Sequence, residues 1–586
     1  MNTGMSQLDW AIIAIYLLAV VGLGVVAGFM RRKDERGGEG GHYFLAGNTL
    51  AWPVIGLAMF AANISTVHLV SLAEAAYKFG LVFGNFEWMA GFTLILLSLF
   101  FAPLYLRSKV ATLPDFLERR FNRRCRDVLA IVSLFSALVI HMGVALFTAA
   151  YVLRGILGLE PGATILGMDA LWLFIVALGL LTGVYTMFGG LLAVVWTESA
   201  QTALLLIGAV VITVVGYLKI GGWSHLAQTL ASHPHPLATP GSDVTWGTGN
   251  FLNLARSAAD PSGLPWYSIL LGYPVIGIWY WCCDQTIVQR VLAARDEKQA
   301  RLGPLFCAFI KILPVFIFVL PGVICVALVQ QNAFGGDAPK TAADTYTFMI
   351  THLLPIGLKG LVAAAMLAAA MQTCSAALNS TATLVAYDLF KRHNPALSDH
   401  QLVAIGKVTT VVGTVIAIVS SPLFGQYTTI FEGLNKLICY IAPPITAVFL
   451  AGVFWRKASG RAAFLTLVAG SAMGAVIFVM DFWRKNIAAG LQDFSAGLAG
   501  AHATFCHYVL KDWMLTSFYM LAACGAIMWI GSLLMPEPVK EEAKLLIWED
   551  WREPLRGQAG GHGLGNYRIL TGVVLAIFIV LYLIFR

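Results

Sequence analysis

Long apolar runs separated by short polar loops dominate this chain of 586 residues. An α-helix needs about 20 apolar residues to cross a bilayer, whereas a transmembrane β-strand is about half as long and alternates. About fourteen runs are long enough for a helix. Their approximate limits are 8–30, 51–76, 80–105, 127–155, 165–188, 191–218, 266–291, 303–329, 354–388, 402–422, 427–454, 461–482, 513–535 and 567–585. The pattern predicts an all-α integral membrane protein with about 14 transmembrane helices.

The composition favours the same class. The chain is 58% hydrophobic and only 12% charged, and its mean hydropathy is +0.77. Soluble domains carry roughly 25% charged residues. Because so apolar a chain cannot cover itself with polar surface, it is predicted to be an integral membrane protein. We expect it to be a multi-pass protein of the plasma membrane, such as a bacterial inner membrane.

The charges in the loops predict the orientation. The net charge is +7, and most of the loop lysines and arginines fall in alternate loops, beginning with Arg31, Arg32 and Lys33. Cytoplasmic loops carry such an excess, so both termini are predicted to lie outside. Because the basic residues are divided among membrane loops, we expect no nucleic-acid partner.

Motifs for catalysis are missing from the sequence. It has no Walker motif, no dinucleotide fingerprint and no cysteine–histidine spacing of a zinc site. We therefore expect no enzymatic activity and no organic cofactor. The expected partners are a small-molecule substrate and the lipid bilayer, and the oligomeric state stays open.

Polar residues interrupt the second apolar segment at 61–68, Ala-Ala-Asn-Ile-Ser-Thr-Val-His. Irregular backbone at membrane depth is tolerated only where it is buried in protein or lines a cavity. Unwound backbone here would free carbonyl oxygens for a sodium ion. The alternative is a kinked helix whose polar groups bond to neighbouring helices.

Two charged residues, Glu87 and Lys311, lie inside apolar segments. Such charges are costly in a membrane, so the two could pair structurally or could both reach a polar substrate. Sugar hydroxyls donate and accept hydrogen bonds, so a carboxylate and an ammonium group around one pocket suit a polyol. A further alternative for Lys311 is that it snorkels to the cytoplasmic surface.

Three further polar positions have two interpretations each. Glu198 lies near the inner end of an apolar segment, where it is either solvated or a site for a cation or proton. Gln372 and Thr373 lie in a hydroxyl-rich part of the ninth segment, and such residues bind ligands or link helices. The spacing alone does not choose between these roles.

The end of the seventh segment, residues 279–290, combines three aromatic residues with Asp284, two glutamines and Arg290. Polar side chains in a membrane helix commonly line a path or a pocket. This string therefore indicates a functional position.

Together these strings resemble the sodium/solute symporter family, in particular its sodium/sugar cotransporter branch. They run in the family's order from about residue 43 to 460. The motifs that carry the resemblance are 43–47 (Tyr-Phe-Leu-Ala-Gly), 61–68, 86–88 (Phe-Glu-Trp), 112–117 (Thr-Leu-Pro-Asp-Phe-Leu), 186–191, 279–290, 379–388 and 442–449.

The resemblance implies a core of two inverted repeats of five helices each, with one helix before it and three after it. The first helix of each repeat, 51–76 and 266–291, would be broken, and Pro274 and Gly277 fit a break in the second. The implied divisions are 1–50 for the extra helix and a cytoplasmic loop, 51–218 for the first repeat, 219–265 for an outer loop, 266–455 for the second repeat and 456–586 for the three additional helices and their loops.

The resemblance also implies a set of site residues. The family's sugar contacts fall on Asn63, His68, Glu87, Tyr280, Trp281, Lys311 and Asn435. Its outer hydrophobic gate falls on Leu72, Phe86 and Phe431, and Tyr280 would also be the inner gate beneath the sugar. Its sodium site falls on Ala61, Ile64, Ala369, Gln372 and Thr373, with a possible second cation or proton site at Glu198.

Four positions depart from the sugar-transporter pattern. Gln372 stands where a serine usually supports the sodium site, and Glu198 replaces an aspartate linked to a second cation. Asn435 replaces a longer glutamine that reaches the sugar, and Gly277 replaces a polar substrate contact. The first two leave proton coupling open, and the last two leave the identity of the sugar open.

The sequence therefore predicts a secondary-active symporter in which a cation gradient, with sodium as the coupling ion, drives uptake of a sugar or similar polyol by alternating access. The same machine could carry another small solute, such as an inositol, sialic acid or a nucleoside, or could use protons. A remote alternative is a membrane sugar sensor.

Overall fold

The computed structural model of the protein describes residues 5–30, 48–160, 162–232, 251–258, 260, 262–426, 430–483, 487, 496–556 and 565–586, and these are almost entirely helical. Buried apolar side chains from most of the helices form one continuous core. The α-helices run over Gln7–Met30, Trp52–Asn63, Thr66–Phe79, Asn85–Leu96, Ala102–Ser108, Leu113–Arg120, Arg123–Phe135, Val144–Ile156, Ala170–Ile220, Trp223–Ser232, Trp266–Ile278, Gln285–Leu292, Glu297–Ile310, Leu320–Gln330, Thr345–Leu353, Leu358–Leu384, Asp399–Ser420, Ile430–Phe454, Gly460–Phe482, Ala496–Phe505, Trp513–Leu534, Glu541–Lys544, Glu553–Arg556 and Tyr567–Ile584.

Shorter elements join or extend these helices. A small antiparallel hairpin pairs Thr164–Ile165 with Met168–Asp169. Turns of 3₁₀-helix lie at Gly80–Gly84, Ala342–Asp344 and Ser421–Gln426. Turns of π-helix lie at Leu97–Phe101, Ser136–Gly143, Trp279–Cys283, Val315–Val319, Val385–Lys391 and Cys506–Leu510. Because π-helical turns are frequent at functional sites, those at 136–143 and 279–283 mark candidate functional positions.

Eleven helical stretches of the described chain are long and apolar enough to cross a membrane. The prediction of an all-α, multi-pass membrane protein is confirmed at this level. The number of fourteen stays a prediction. The predicted segments 165–188 and 191–218, for example, share one continuous helix, Ala170–Ile220, and residues 165–169 belong to the preceding hairpin.

The second apolar segment is broken, as predicted. The helix Trp52–Asn63 ends before Ile64, whose backbone is extended with φ −78° and ψ 118°. A new helix begins at Thr66. Both halves are set within the protein core, so the irregular backbone between them does not face lipid.

The seventh segment is also broken, but not where Pro274 and Gly277 suggested. Pro274 lies inside the continuous helix Trp266–Ile278. The break is at Asp284, after the π-helical turn, where the backbone is extended with φ −86° and ψ 126°. Asp284 Oδ1 accepts the N–H of Thr286 at 2.8 Å. The break therefore falls where an aspartate can cap the next helix, whereas Pro274 is tolerated inside the first helix, as prolines in membrane helices commonly are.

A close helix contact sets the position of Lys311. The helices Trp52–Asn63 and Glu297–Ile310 approach so closely that a Cβ on Gly56 would lie 2.8 Å from the carbonyl oxygen of Gly303. Small residues permit such an approach between membrane helices. The helix that ends before Lys311 is thereby held against the helix that ends at Asn63.

The first helix of the chain caps the most buried one. Asp9 is fully buried, and its Oδ1 accepts the N–H groups of Gly357 and Gly360, both at 2.8 Å. These N–H groups belong to the start of Leu358–Leu384, where a carboxylate also interacts favourably with the helix dipole. A Cβ on Gly360 would lie 2.5 Å from Asp9 Cα, so glycine is required for this approach.

Several of the predicted divisions contain additional helices. The predicted outer loop 219–265 includes Trp223–Ser232, which forms because Leu226 and Leu230, one turn apart, are buried against the core. The C-terminal division 456–586 includes the shorter helices Ala496–Phe505, Glu541–Lys544 and Glu553–Arg556 besides the three long ones.

Candidate functional site

One cavity within the core brings the predicted substrate residues together. It is lined by all seven of them, Asn63, His68, Glu87, Tyr280, Trp281, Lys311 and Asn435. They come from both broken helices and from three other helical segments, so the fold assembles them from distant parts of the chain. Thr373 of the predicted cation site and Phe86 and Phe431 of the predicted outer gate line it as well.

Lys311 is the centre of the polar contacts. Its side chain is 1% exposed, so the snorkelling alternative is wrong. The ammonium group donates to Asn63 Oδ1 and to Glu87 Oε2. It also lies 5.4 Å from the ring centroid of Trp281, within cation–π range. The Phe60 ring lies at 5.6 Å, so the buried charge of Lys311 is balanced by one carboxylate, one amide oxygen and two aromatic rings.

His68 extends this polar group to the other oxygen of Glu87. The N–H of Ser65, at the helix break, donates to His68 Nδ1 at 3.2 Å. A neutral imidazole whose Nδ1 accepts must carry its proton on Nε2, and Nε2 lies 3.8 Å from Glu87 Oε1. The broken backbone therefore fixes which histidine nitrogen faces the carboxylate.

Two departures from the sugar-transporter pattern have a structural setting. Asn435 lines the cavity, but its Nδ2 donates to the carbonyl of Phe431 in its own helix at 2.8 Å. Gly277 also lines the cavity, and a Cβ there would lie 2.7 Å from a ring carbon of Tyr273. The Tyr273 hydroxyl donates to the carbonyl of Phe86 at 2.9 Å. Tyr273, a residue that no sequence motif indicated, thus takes the space beside Gly277.

The predicted outer gate is an aromatic cluster. The rings of Phe86 and Phe431 meet edge to face with centroids 4.8 Å apart, and Trp513 stacks on Phe86 at 6.0 Å. Phe83 lies 5.4 Å from Phe431. Leu72 is fully buried, but it is not among the residues that line the cavity. Phe86 and Phe431 therefore belong to one aromatic cluster at the cavity.

The predicted cation ligands are oxygens without charge. Thr373 faces the cavity, and its hydroxyl donates to the carbonyl of Ala369 at 3.3 Å. Ala61 and Ile64 are buried at the end of the first broken helix. Gln372 is buried too, and its main-chain carbonyl accepts the hydroxyl of Ser375. The described chain has no cluster of three or more His, Cys, Asp or Glu residues that could hold a metal ion.

Glu198 stays a prediction. Its backbone lies in the helix Ala170–Ile220, but its side chain is outside the described part of the structure.

His141 also lines the cavity, although no sequence motif indicated it. It belongs to the π-helical turn Ser136–Gly143. Its Nε2 lies 3.5 Å from Asp284 Oδ2, and its ring centroid lies 5.7 Å from that of Tyr280. The available signal was a lone histidine in the otherwise apolar segment 127–155.

Comparisons with known proteins concern the chain as a whole. The model of the sodium:solute symporter family matches residues 43–470. Sodium/myo-inositol cotransporter 2 of Oryctolagus cuniculus is 30% identical over 567 residues, which are 93% of this chain and 80% of that protein. The sodium/glucose cotransporter of Vibrio parahaemolyticus is 32% identical over 478 residues, 80% of this chain and 84% of that protein.

The fold also has a relative among solved structures. A Na⁺-coupled sialic acid symporter, in a substrate-bound outward-open state, superposes with a TM-score of 0.70. The two chains are 21% identical, and the superposition covers 92% of this chain and 99% of the other. At this identity the likeness concerns the fold alone.

Proposed function

Because this chain belongs to the sodium:solute symporter family, we propose that it takes up a sugar or sugar-like polyol together with sodium by alternating access. The observation that carries the proposal is the cavity in which Lys311 contacts Asn63 and Glu87. Its relatives include cotransporters of glucose and of myo-inositol, which are both polyhydroxylated.

The chemistry of the cavity suits such a substrate. A carboxylate accepts hydrogen bonds, an ammonium group donates them, and amides such as Asn63 and Asn435 do both. The aromatic rings of Tyr280 and Trp281 offer flat faces to the apolar side of a sugar ring. In this proposal the sugar hydroxyls take over part of the contacts that Lys311, Asn63 and Glu87 make with one another.

The cation would bind beside the sugar. Carbonyls freed at the first helix break, at Ala61 and Ile64, would join the carbonyl of Ala369 and the hydroxyl of Thr373, with Gln372 nearby. Such a set suits sodium, a hard cation that prefers oxygen ligands. Binding would hold the broken helix against Leu358–Leu384 and favour one state of the transporter, which is how an ion gradient drives uptake.

The remaining layout follows the family. We place the two inverted repeats at 51–218 and 266–455, one helix before them and three long helices after them, and both termini outside. The aromatic cluster of Phe86 and Phe431 would be the outer gate and Tyr280 the inner one. Sodium is the proposed coupling ion, and a proton is the competing candidate because of Gln372 and Glu198.

Uptake into proteoliposomes tests the proposal. The purified chain would be offered radiolabelled glucose, mannose, myo-inositol, sialic acid and a nucleoside, with inward sodium and proton gradients imposed separately. We expect sodium-driven uptake of a sugar or polyol, and its loss in Glu87→Gln. The matched control is Glu160→Gln, because Glu160 is exposed and pairs with Lys340 outside the site. Uptake that ignores both gradients would refute symport.

A further inference from the structure

We propose that His141 is a further specificity-determining residue, whose Nδ1 accepts a hydrogen bond from one hydroxyl of the substrate, and that Asp284 is the positioning residue that selects this role. The inference rests on the proposed function, since it assigns a new contact within the same cavity.

The first observation is the location of His141. It lines the cavity together with the seven predicted contacts. Its ring lies nearly parallel to that of Trp279, at 11° with centroids 6.3 Å apart, and close to Tyr280. Tyr280 in turn lies 5.2 Å from Trp281, the ring that faces Lys311. A row of aromatic rings therefore runs from the Lys311 end of the cavity to His141.

The second observation is the environment of the His141 nitrogens. Nε2 is buried and lies 3.5 Å from Asp284 Oδ2, and in the described chain it has no aligned hydrogen-bond partner. A carboxylate at this distance favours a proton on the nitrogen that faces it. In a neutral imidazole the other nitrogen then has only a lone pair. His141 would therefore present Nδ1 as an acceptor for a hydroxyl.

The third observation is that the two carboxylate oxygens of Asp284 have different contacts. Its Oδ1 caps the helix Gln285–Leu292 through the N–H of Thr286, and its Oδ2 faces His141. The carboxylate is thus held in place by the helix break itself. Because this break belongs to the second broken helix, the orientation of the His141 imidazole depends on the same structural feature that carries Tyr280 and Trp281.

With this assignment, the two ends of the cavity offer different hydrogen-bonding groups to the substrate. Near Lys311 the cavity has an ammonium donor beside a carboxylate, whereas near His141 it has one neutral acceptor. A hydroxyl that points to His141 must donate its proton. Removing that hydroxyl, or replacing it by fluorine, which cannot donate, should weaken transport equally. If the hydroxyl only accepted a hydrogen bond, the fluoro analogue would be transported better than the deoxy analogue, because fluorine can still accept weakly.

The experiment uses single-position deoxy and deoxyfluoro analogues of the best-transported sugar of the panel. We measure Vmax/KM in proteoliposomes for wild type, His141→Leu, His141→Gln and Asp284→Asn. In wild type, one position should lose roughly tenfold with both analogues, as expected for one hydrogen bond of about 1.4 kcal/mol. In His141→Leu, Vmax/KM for the same two analogues should equal that for the parent sugar. In His141→Gln, which keeps an acceptor oxygen, the two analogues should again be transported less well than the parent sugar, but by less than in wild type.

Asp284→Asn gives the sharper readout. Asparagine can still cap the helix, but its N–H₂ would face Nε2 and move the imidazole proton to Nδ1. Nδ1 then donates, so the fluoro analogue should be transported several times better than the deoxy analogue. A merely structural role of Asp284 would not reverse the order of the two analogues.

The control is a second His–Asp pair outside the cavity, His352 with Asp337 at 3.8 Å. His352→Leu should keep the wild-type analogue profile. If His141→Leu and His141→Gln keep it as well, or if Asp284→Asn leaves the order of the analogues unchanged, the inference is wrong while the proposed function stands. If wild type takes up no sugar or polyol of the panel, the proposed function fails and this inference fails with it.

Discussion

The ammonium group of Lys311 contacts the carboxylate of Glu87 in the wall of the cavity, although 224 positions separate the two residues in the chain. Their side chains are 1% and 3% exposed. A buried pair of this kind can serve the fold, the substrate or both. The two roles differ in what happens when both charges are removed together.

Neutralising the pair separates binding from folding. Lys311→Met alone leaves Glu87 buried without its partner, which should cost about 3–5 kcal/mol of stability. Lys311→Met combined with Glu87→Gln removes both charges, so most of that stability should return. Sugar uptake should stay lost in the double variant, because the charged donor and the charged acceptor for sugar hydroxyls are both gone. Thermal melting and uptake, measured on the same preparations, check this, and a double variant that regains uptake would make the pair purely structural.

Thr373 should carry the dependence on sodium. Thr373→Val keeps the shape of the side chain but removes the hydroxyl that lies next to the Ala369 carbonyl. We expect the sodium concentration for half-maximal uptake to rise by about tenfold or more, since one ligand worth about 1–2 kcal/mol is lost. Thr373→Ser, which retains the hydroxyl, is the matched control and should stay near wild type.

A normal sodium dependence in Thr373→Val would remove this residue from the cation site. In the same assay Gln372→Ser should strengthen the sodium dependence if the longer amide disturbs the site. An unchanged sodium curve would show that Gln372 is compatible with sodium binding.

Gly277 should resist even the smallest side chain. A Cβ at this position would lie 2.7 Å from Tyr273 and 2.9 Å from Thr93. Gly277→Ala should therefore push Tyr273 from the Phe86 carbonyl and lower uptake several-fold, because overpacking costs about 1–3 kcal/mol. Gly525→Ala, with nothing within 4 Å of the added carbon, is the control. Adding Tyr273→Leu to Gly277→Ala should restore part of the uptake, and a double variant worse than the single one would argue against this steric explanation.

Asp9 should stabilise the whole bundle through the start of Leu358–Leu384. Asp9→Ala leaves the N–H groups of Gly357 and Gly360 without their acceptor, which should cost about 1–3 kcal/mol. The melting temperature of the purified protein measures this loss. Asp169→Ala removes an exposed helix cap and should have a smaller effect. Equal shifts for the two variants would contradict the role of Asp9.

Much of the site could be predicted from the sequence, because the family's motifs carry the substrate-contacting residue types at fixed positions. Asn63, His68 and Glu87 were predicted through family motifs, and the structure places them around one cavity. The break at residues 64–65 could also be predicted, since polar residues interrupt an apolar helix there.

The rest depended on three-dimensional contacts. The break in the second broken helix lies at Asp284 because a side chain caps the next helix, and a proline count does not detect such a cap. The contact of His141 with Asp284 joins residues from separate segments, so neither residue type alone signals it. The contact of Asp9 with Gly360 depends on backbone approach that sequence spacing does not encode.

The central claim is that sodium and a sugar cross the membrane together through this cavity. Its most direct test is the simultaneous measurement of radiolabelled sodium and sugar fluxes into the same proteoliposomes, with and without the other solute outside. The account predicts that each flux requires the other solute, that the two rise in a fixed ratio, and that Glu87→Gln abolishes both coupled fluxes. Sugar flux that proceeds at the same rate and to the same extent without sodium would contradict it.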